Sequence, residues 1–245
     1  GSFDDCQKIV KELFNDDDFR SKINMSGVNS INWARIVCQI VYYFYSFFKL
    51  KKENISFSVP TGNFGDIYAG YIAKKMGLPI TKLIVATNEN DILQRVINTG
   101  EYKPDKVKPS ISPSMDIQIA SNFERLLFYV LGEDDQKVRL LMNDLSKKGS
   151  FRLNQSEMEN IKRDFEAVKI NDEDTKLIIK NINNEFNFII DPHTATGFGA
   201  AKKTKGLDDI VVLGTAHPFK FSDTVKKATG KNLDAPSHLK MNVDK

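Results

Sequence analysis

The stretch Ile55-Ser56-Phe57-Ser58-Val59-Pro60-Thr61-Gly62-Asn63-Phe64-Gly65-Asp66 decides the fold class. Its first half alternates apolar residues with serines, the period of a strand, and Pro60 ends that pattern. Its second half is a glycine-bearing loop leading into a helix that starts near Asp66. That helix runs through Ala69, Tyr71 and Ile72 to Met76 and stops at Gly77, ahead of Leu78-Pro79. Lys82-Leu83-Ile84-Val85-Ala86 is the next strand, so the segment is a βαβ unit.

Upstream, Ile31 to Leu50 is apolar on all sides, which predicts a buried central helix with Ser30 as its N-cap. Asn32, Arg35, Gln39 and Lys49 interrupt it, and it falls short of the roughly 20 apolar residues of a membrane span. Phe3 to Phe19 has helical spacing of its apolar residues and predicts a first helix. Downstream, Pro104, Pro109 and Pro113 mark an irregular stretch. Phe123 to Val130 and Val138 to Leu145 follow as helices, and charged helical segments continue to Lys180. Strands are expected again at Phe186–Ile190 and Ile210–Leu213, separated by a helix from about Thr194. The expected architecture is α/β, a mainly parallel sheet flanked by helices, with a mostly helical insertion over about residues 101–185. The tail after Gly230 is expected to wrap the surface.

Composition narrows the function classes. The 245 residues are 41% hydrophobic and 27% charged, an ordinary folded composition. Net charge is +3, from 35 basic and 32 acidic residues scattered without a basic arm, which argues against nucleic acid as a partner. Cys6 and Cys38 lie far apart and are expected to be reduced, partly buried thiols in a reducing compartment. His193, His217 and His238 lack metal-ligand spacing, so no metal site is expected. Gly1-Ser2 reads as a cloning scar, and the chain is expected to be a fragment.

Three loops carry the candidate chemistry: Thr61–Asp66, Asp191-Pro192-His193-Thr194-Ala195-Thr196-Gly197, and Gly214-Thr215-Ala216-His217-Pro218. Each follows an expected strand, and loops at the carboxyl ends of parallel strands share one edge, where open α/β sheets bind ligands. In the first loop Gly62 and Gly65 allow close backbone approach, and the following helix offers unpaired N–H groups, an anion cradle. A tight turn capped by Asn63 or Asp66, with no ligand, is the alternative. No Lys-Ser or Lys-Thr pair follows and no third glycine stands in place, so nucleotide-binding loops are excluded. His193 and His217 are expected to be structural hydrogen bonders, with proton exchange as the alternative.

Gly62-Asn63-Phe64-Gly65-Asp66 after a strand, with Ser30-Ile31-Asn32-Trp33-Ala34-Arg35 upstream, resembles the threonine synthase family. Phe3-Asp4-Asp5-Cys6-Gln7, Ala86-Thr87-Asn88-Glu89-Asn90-Asp91, Pro113-Ser114-Met115-Asp116-Ile117, Asp191–Ala195 and Thr215-Ala216-His217-Pro218 are similar as well, in the same order. The resemblance implies a pyridoxal-phosphate enzyme of fold type II, of which this chain covers the carboxyl-terminal portion. On that basis 3–24 is a remnant of the smaller amino-terminal domain and 25–245 is the large cofactor-binding domain, the amino-terminal part being absent.

Carried over residue by residue, the resemblance implies that Gly62, Asn63, Phe64, Gly65 and Asp66 hold the cofactor phosphate and that Thr215 faces the pyridine nitrogen. Ser30, Asn32 and Arg35 fall on the substrate side, Arg35 as an anion grip. The bland alternatives are strand-end capping for Thr215 and helix capping with a surface arginine for the others. The family's Schiff-base lysine stands in a Phe-Lys-Asp segment that does not occur here, so no catalytic residue is expected in this chain. Lys220, in Phe219-Lys220-Phe221, is a look-alike at the wrong place. The implied reaction is conversion of O-phosphohomoserine and water to threonine and phosphate, in the cytoplasm. The alternatives are a related phospho-lyase and a non-catalytic fragment that needs the missing amino-terminal segment as its partner.

Overall fold

The computed structural model describes residues 3–23 and 29–236. In chain order the elements are α1 (Phe3–Asn15), α2 (Asp17–Ile23), α3 (Trp33–Leu50), β1 (Ile55–Pro60), α4 (Gly65–Lys75), β2 (Ile80–Thr87), α5 (Ile92–Thr99) and β3 (Glu101–Tyr102). There follow α6 (Phe123–Val130), α7 (Asp135–Lys148), β4 (Phe151–Arg152), α8 (Gln155–Asp164) and β5 (Phe165–Lys169). The last are α9 (Asp172–Phe186), α10 (Pro192–Lys203), β6 (Ile210–Val212) and α11 (Ser222–Thr229).

The main sheet has the order β5-β2-β1-β6, every pairing parallel. β1 is flanked by β2 on one side and β6 on the other, so the chain reverses its winding direction between β1 and β6. Phe57, Val59, Leu83 and Val85 face the larger core, which α3, α4 and α5 share. Ile84 and Ala86 face the opposite side, toward Ala200 of α10. Ser56 and Ser58, the polar half of the β1 alternation, are buried too. The Ser58 hydroxyl donates to the Gly197 carbonyl at 2.7 Å, which satisfies it beneath α10. A Cβ on Gly197 would stand 2.9 Å from Val212, so α10 lies on the sheet because glycine occupies that turn.

Four expectations are corrected. The first helix is two, because the Asp16 carboxylate accepts the Phe19 N–H at 2.9 Å and restarts the winding. Phe186 ends α9, Asn187 is its left-handed cap, and 188–190 form no strand. The missing strand is instead β5, inside the segment read as helical: Leu83 through Thr87 pair with Phe165 through Lys169. β5 is an edge strand, and beyond buried Phe165 its residues are half-exposed, which leaves little apolar signal. Finally, α3 is not buried all round, and Cys38 on it is an exposed free thiol. Cys6's side chain and His238 lie outside the described residues. Among the described residues no helix is long and apolar enough to cross a membrane.

Candidate active site

The Thr61–Asp66 loop leaves the carboxyl end of β1 and enters α4 through Phe64, whose φ of 61° is left-handed. A non-glycine residue in that region costs about 1–3 kcal/mol and persists only where its surroundings hold it. Here the Phe64 ring is fully buried, edge-on to Phe123 at 5.3 Å and tilted against Phe165 at 5.7 Å. Phe64 is therefore the anchor of the loop. Its neighbours Gly65, Asp66 and Ile67 form the first turn of α4, where backbone N–H groups have no intrahelical acceptor and the helix dipole favours an anion.

Both glycines are close-approach positions. A Cβ at Gly62 would meet the Ser114 carbonyl at 2.7 Å, and one at Gly65 would meet the Ser30 Cβ at 2.8 Å. The loop is thus held from two sides. On one side the Asn63 amide oxygen accepts from the Ser121 backbone N–H at 2.6 Å and hydroxyl at 2.7 Å. The Asn122 amide donates to the Ser30 hydroxyl at 2.8 Å and to the Asn63 carbonyl at 2.9 Å. Ser30 is thereby a brace behind the cradle, and Asn32, rather than Ser30, caps α3 by accepting the Ala34 N–H at 3.0 Å.

On the other side, 110–116 is pinned by a buried polar cluster. Asp116 accepts from the Asn88 amide at 2.8 Å, the Asn90 amide at 3.0 Å and the Ser110 hydroxyl at 2.6 Å. Asp116→Ala would remove the acceptor those three donors share, and a hydrogen bond to a charged group is worth about 1.5–3 kcal/mol. The variant is expected to lose about 3 kcal/mol or more in urea denaturation and to be cut faster by protease between 103 and 118.

Arg35, Asp66 and Thr215 come together. With Gln39, Tyr42, Tyr45, Ser46, Pro60, Leu213 and Gly214 they line a cavity of about 470 Å³. It opens between the carboxyl ends of β1 and β6, the point where the winding reverses, and this is where open α/β sheets bind ligands. Gln39, Tyr42 and Ser46 were not singled out in sequence. Their spacing from Arg35, four, seven and eleven residues, is the signal, because it puts one row of α3 along the cavity. The Gln39 amide oxygen is buried there with no hydrogen-bond partner among the described residues.

Asp66 is half-buried in this wall. Burial pushes its carboxyl up from 3.8 to about 6, against the opposing pull of a hydrogen bond from Tyr43 and the charge of Arg35. The Tyr43 hydroxyl donates to the Asp66 carbonyl at 2.8 Å and reaches its carboxylate at 3.3 Å. Between those two pKa values the folded protein binds more protons at Asp66 than the unfolded chain does. The group's contribution to stability is therefore complete below about pH 4 and lost as pH rises through about 6. Relative to Asp66→Asn, the wild type is expected to lose on the order of 1–3 kcal/mol between pH 4 and 7. Urea titrations at stepped pH measure it.

The second loop reaches the same edge by another route than a strand: α10 begins there, its first turn capped by Asp191. Burial works against the Asp191 charge, but hydrogen bonds from His193 and Thr194 outweigh it and hold the carboxyl below its ordinary range. The Ser114 N–H donates to His193 Nε2 at 3.2 Å, so Nδ1 carries the hydrogen shared with Asp191 at 3.0 Å. Thr194, bonded to Asp191, accepts the Thr215 N–H at 3.3 Å. His193 is thus a structural bonder and Thr194 sets the backbone of Thr215, whose side chain is exposed at the cavity. His217 is exposed and caps Phe219 through Nδ1 at 3.2 Å. Lys220 does not line the cavity, and its ammonium lies 5.8 Å from the Phe221 ring centroid. Among the described residues there is no metal-ligating cluster.

Comparison with known proteins bears on this arrangement. Residues 194–245 match the family model described as "Threonine synthase, C-terminal". Over 93% of its length the chain is 47% identical to threonine synthase of Saccharomyces cerevisiae, and over 98% it is 44% identical to that of Pseudomonas aeruginosa. Over nearly its whole length the chain is similar to threonine synthases. A solved threonine synthase from Brucella melitensis, described as bound to PLP, is 48% identical and superposes with a TM-score of 0.90 over 98% of this chain. The chain spans about half the length of these relatives: 49% and 52% of the two sequences and 52% of the solved chain. The α/β fold with its parallel sheet and flanking helices is thus the threonine synthase fold over that half.

Proposed function

We propose that this chain is the cofactor-binding portion of a threonine synthase, which converts O-phosphohomoserine and water to threonine and phosphate with pyridoxal phosphate. One observation carries the reading: Arg35, Asp66 and Thr215, from three separate elements, line one cavity beside the amino terminus of α4. The residues present suit the cofactor. The first turn of α4 and the Gly62-Asn63-Phe64 backbone offer N–H groups to its phosphate, and the cavity volume falls within the usual range of small-molecule sites. When bound, pyridoxal phosphate supplies an electron sink that stabilises negative charge on carbon next to the substrate amine.

The chain's own groups then have separable tasks. Gly62, Asn63, Phe64, Gly65 and Asp66 hold the phosphate end, the loop being kept in shape by Ser30 and Asn122. Thr215 would take the pyridine end, where its hydroxyl, unlike a carboxylate, would not force a proton onto the ring nitrogen. Arg35 binds the substrate phosphate in a bidentate grip, and Asn32 fixes the start of the helix that carries it. The Schiff-base lysine belongs to a segment this chain does not contain, since no Phe-Lys-Asp tripeptide occurs in it. That segment is its partner. Cytoplasmic placement is supported by the free thiol of Cys38.

The test uses a longer protein that carries both the lysine and these residues. It is expected to release phosphate and form threonine from O-phosphohomoserine. Arg35→Ala is expected to raise KM for that substrate by about 10-fold or more, the value of a charge-assisted hydrogen-bonded pair. Phosphate release with a keto acid and no threonine would favour the phospho-lyase. An unchanged KM would remove Arg35 from the substrate side.

A further inference from the structure

α3 is apolar all round, yet the structure covers only one side of it. Ile36, Ile40 and Tyr43 are buried toward α4 and the sheet. A second row, Val37, Val41, Tyr45 and Phe48, recurs at spacings of four, four and three residues and lies bare, 46, 60, 62 and 67% exposed. Trp33 extends the row at its start with 43% exposure. Scattered exposed apolar residues are ordinary, but a continuous helical stripe of large ones marks an interaction surface. A helix apolar on every face belongs in an interior.

Two further observations say what covers the stripe. About half the length of the relatives has no counterpart in this chain, although the chain superposes closely on the other half. The stripe is also continuous with the cavity, because Tyr45 belongs to both and Tyr42, 53% exposed, stands beside it. A body docked on the stripe therefore borders the site.

We infer that the Val37-Val41-Tyr45-Phe48 face of α3 is the docking surface for the half of the enzyme that this chain does not span. Docking there supplies the wall of the Arg35 cavity next to Tyr45. The inference rests on the proposal that the chain works as part of a longer threonine synthase, and it names where the two parts meet.

The test co-expresses this chain with the portion of the Brucella melitensis enzyme that it does not match. A one-to-one complex is expected by size exclusion with light scattering, with loss of the anilinonaphthalene sulfonate fluorescence that the bare stripe gives. Val41→Glu and Tyr45→Glu are each expected to weaken the complex on the order of 100-fold, because a carboxylate is buried unpaired in an apolar interface. Leu140→Glu, on the exposed side of α7, is expected to bind like wild type. Far-UV circular dichroism shows that each variant folds. If the added half is insoluble alone, the wild-type chain is expected to draw it into the soluble fraction and Val41→Glu to fail; failure of the wild type overturns the inference. A complex indifferent to both glutamates also overturns it, as does a homodimer of this chain that the glutamates dissociate. Adding pyridoxal phosphate separates the two readings. A glutamate-sensitive complex that binds no cofactor supports the docking surface while removing the proposed function. Cofactor bound by the mixture without any complex does the reverse.

Discussion

Given pyridoxal phosphate and O-phosphohomoserine, the 245-residue chain alone is expected to form no measurable threonine. The proposed reaction moves protons at several substrate carbons, and in the family one lysine also tethers the cofactor. Each general acid–base role is worth about 100-fold to 10,000-fold, so losing one group that serves several removes most of the rate. Among the described residues that line the cavity there is no lysine to replace it. Threonine measured by chromatography, together with released phosphate, checks this. A longer protein carrying the Phe-Lys-Asp lysine is expected to restore both products. A normal rate from the chain alone would assign the role to Lys220 or another lysine and overturn the residue-by-residue carry-over.

Gly65→Val in that longer protein is expected to weaken cofactor binding by at least 10-fold. The cause is more specific than crowding of the phosphate. The new Cβ lands 2.8 Å from the Ser30 Cβ and 3.1 Å from its hydroxyl, and two further methyls stand beyond it. Ser30 must move, and with it go the bonds that tie Asn122 and Asn63 behind the loop. Overpacking of this kind costs about 1–3 kcal/mol in stability, to which the broken brace adds. Fluorescence titration with pyridoxal phosphate and urea denaturation read the two effects. Because the collision is with one side chain, Ser30→Gly combined with Gly65→Ala is expected to be less damaged than Gly65→Ala alone. Strict additivity of the two changes would place the fault elsewhere.

Much of the site was legible before any coordinates. Gly62 and Gly65 announced close approach, and the order of strand, loop and helix announced an anion cradle. What stayed hidden was which atoms come close. Gly65 needs to be glycine because of Ser30, 35 positions away, and Ser30 in turn is held by Asn122. Asp116 looked like part of a motif with no assigned task, yet it is the acceptor on which Asn88, Asn90 and Ser110 converge. Gln39, Tyr42 and Ser46 were passed over because in a helix apolar on every side no single row stands out. Packing on one side made their row a cavity wall.

By itself the sequence determined what depends on neighbours a few residues apart. The strand period of Ile55 to Val59, the glycine stop at Gly77, the βαβ order and the loop-to-helix entry near Asp66 all follow from local backbone preferences and side-chain spacing. Tertiary structure alone decided β5, whose half-exposed residues carry too little apolar signal and become a strand because β2 offers them an edge with matching hydrogen bonds. It also decided that Asn32 rather than Ser30 caps α3, since the Ser30 hydroxyl is taken by Asn122, and that one apolar face of α3 is buried while the other is bare. The physical reason is common to all three. Local propensity is set within a turn or two of chain, whereas strand partners, hydrogen-bond competition and the covering of a face are settled between residues that only packing brings together.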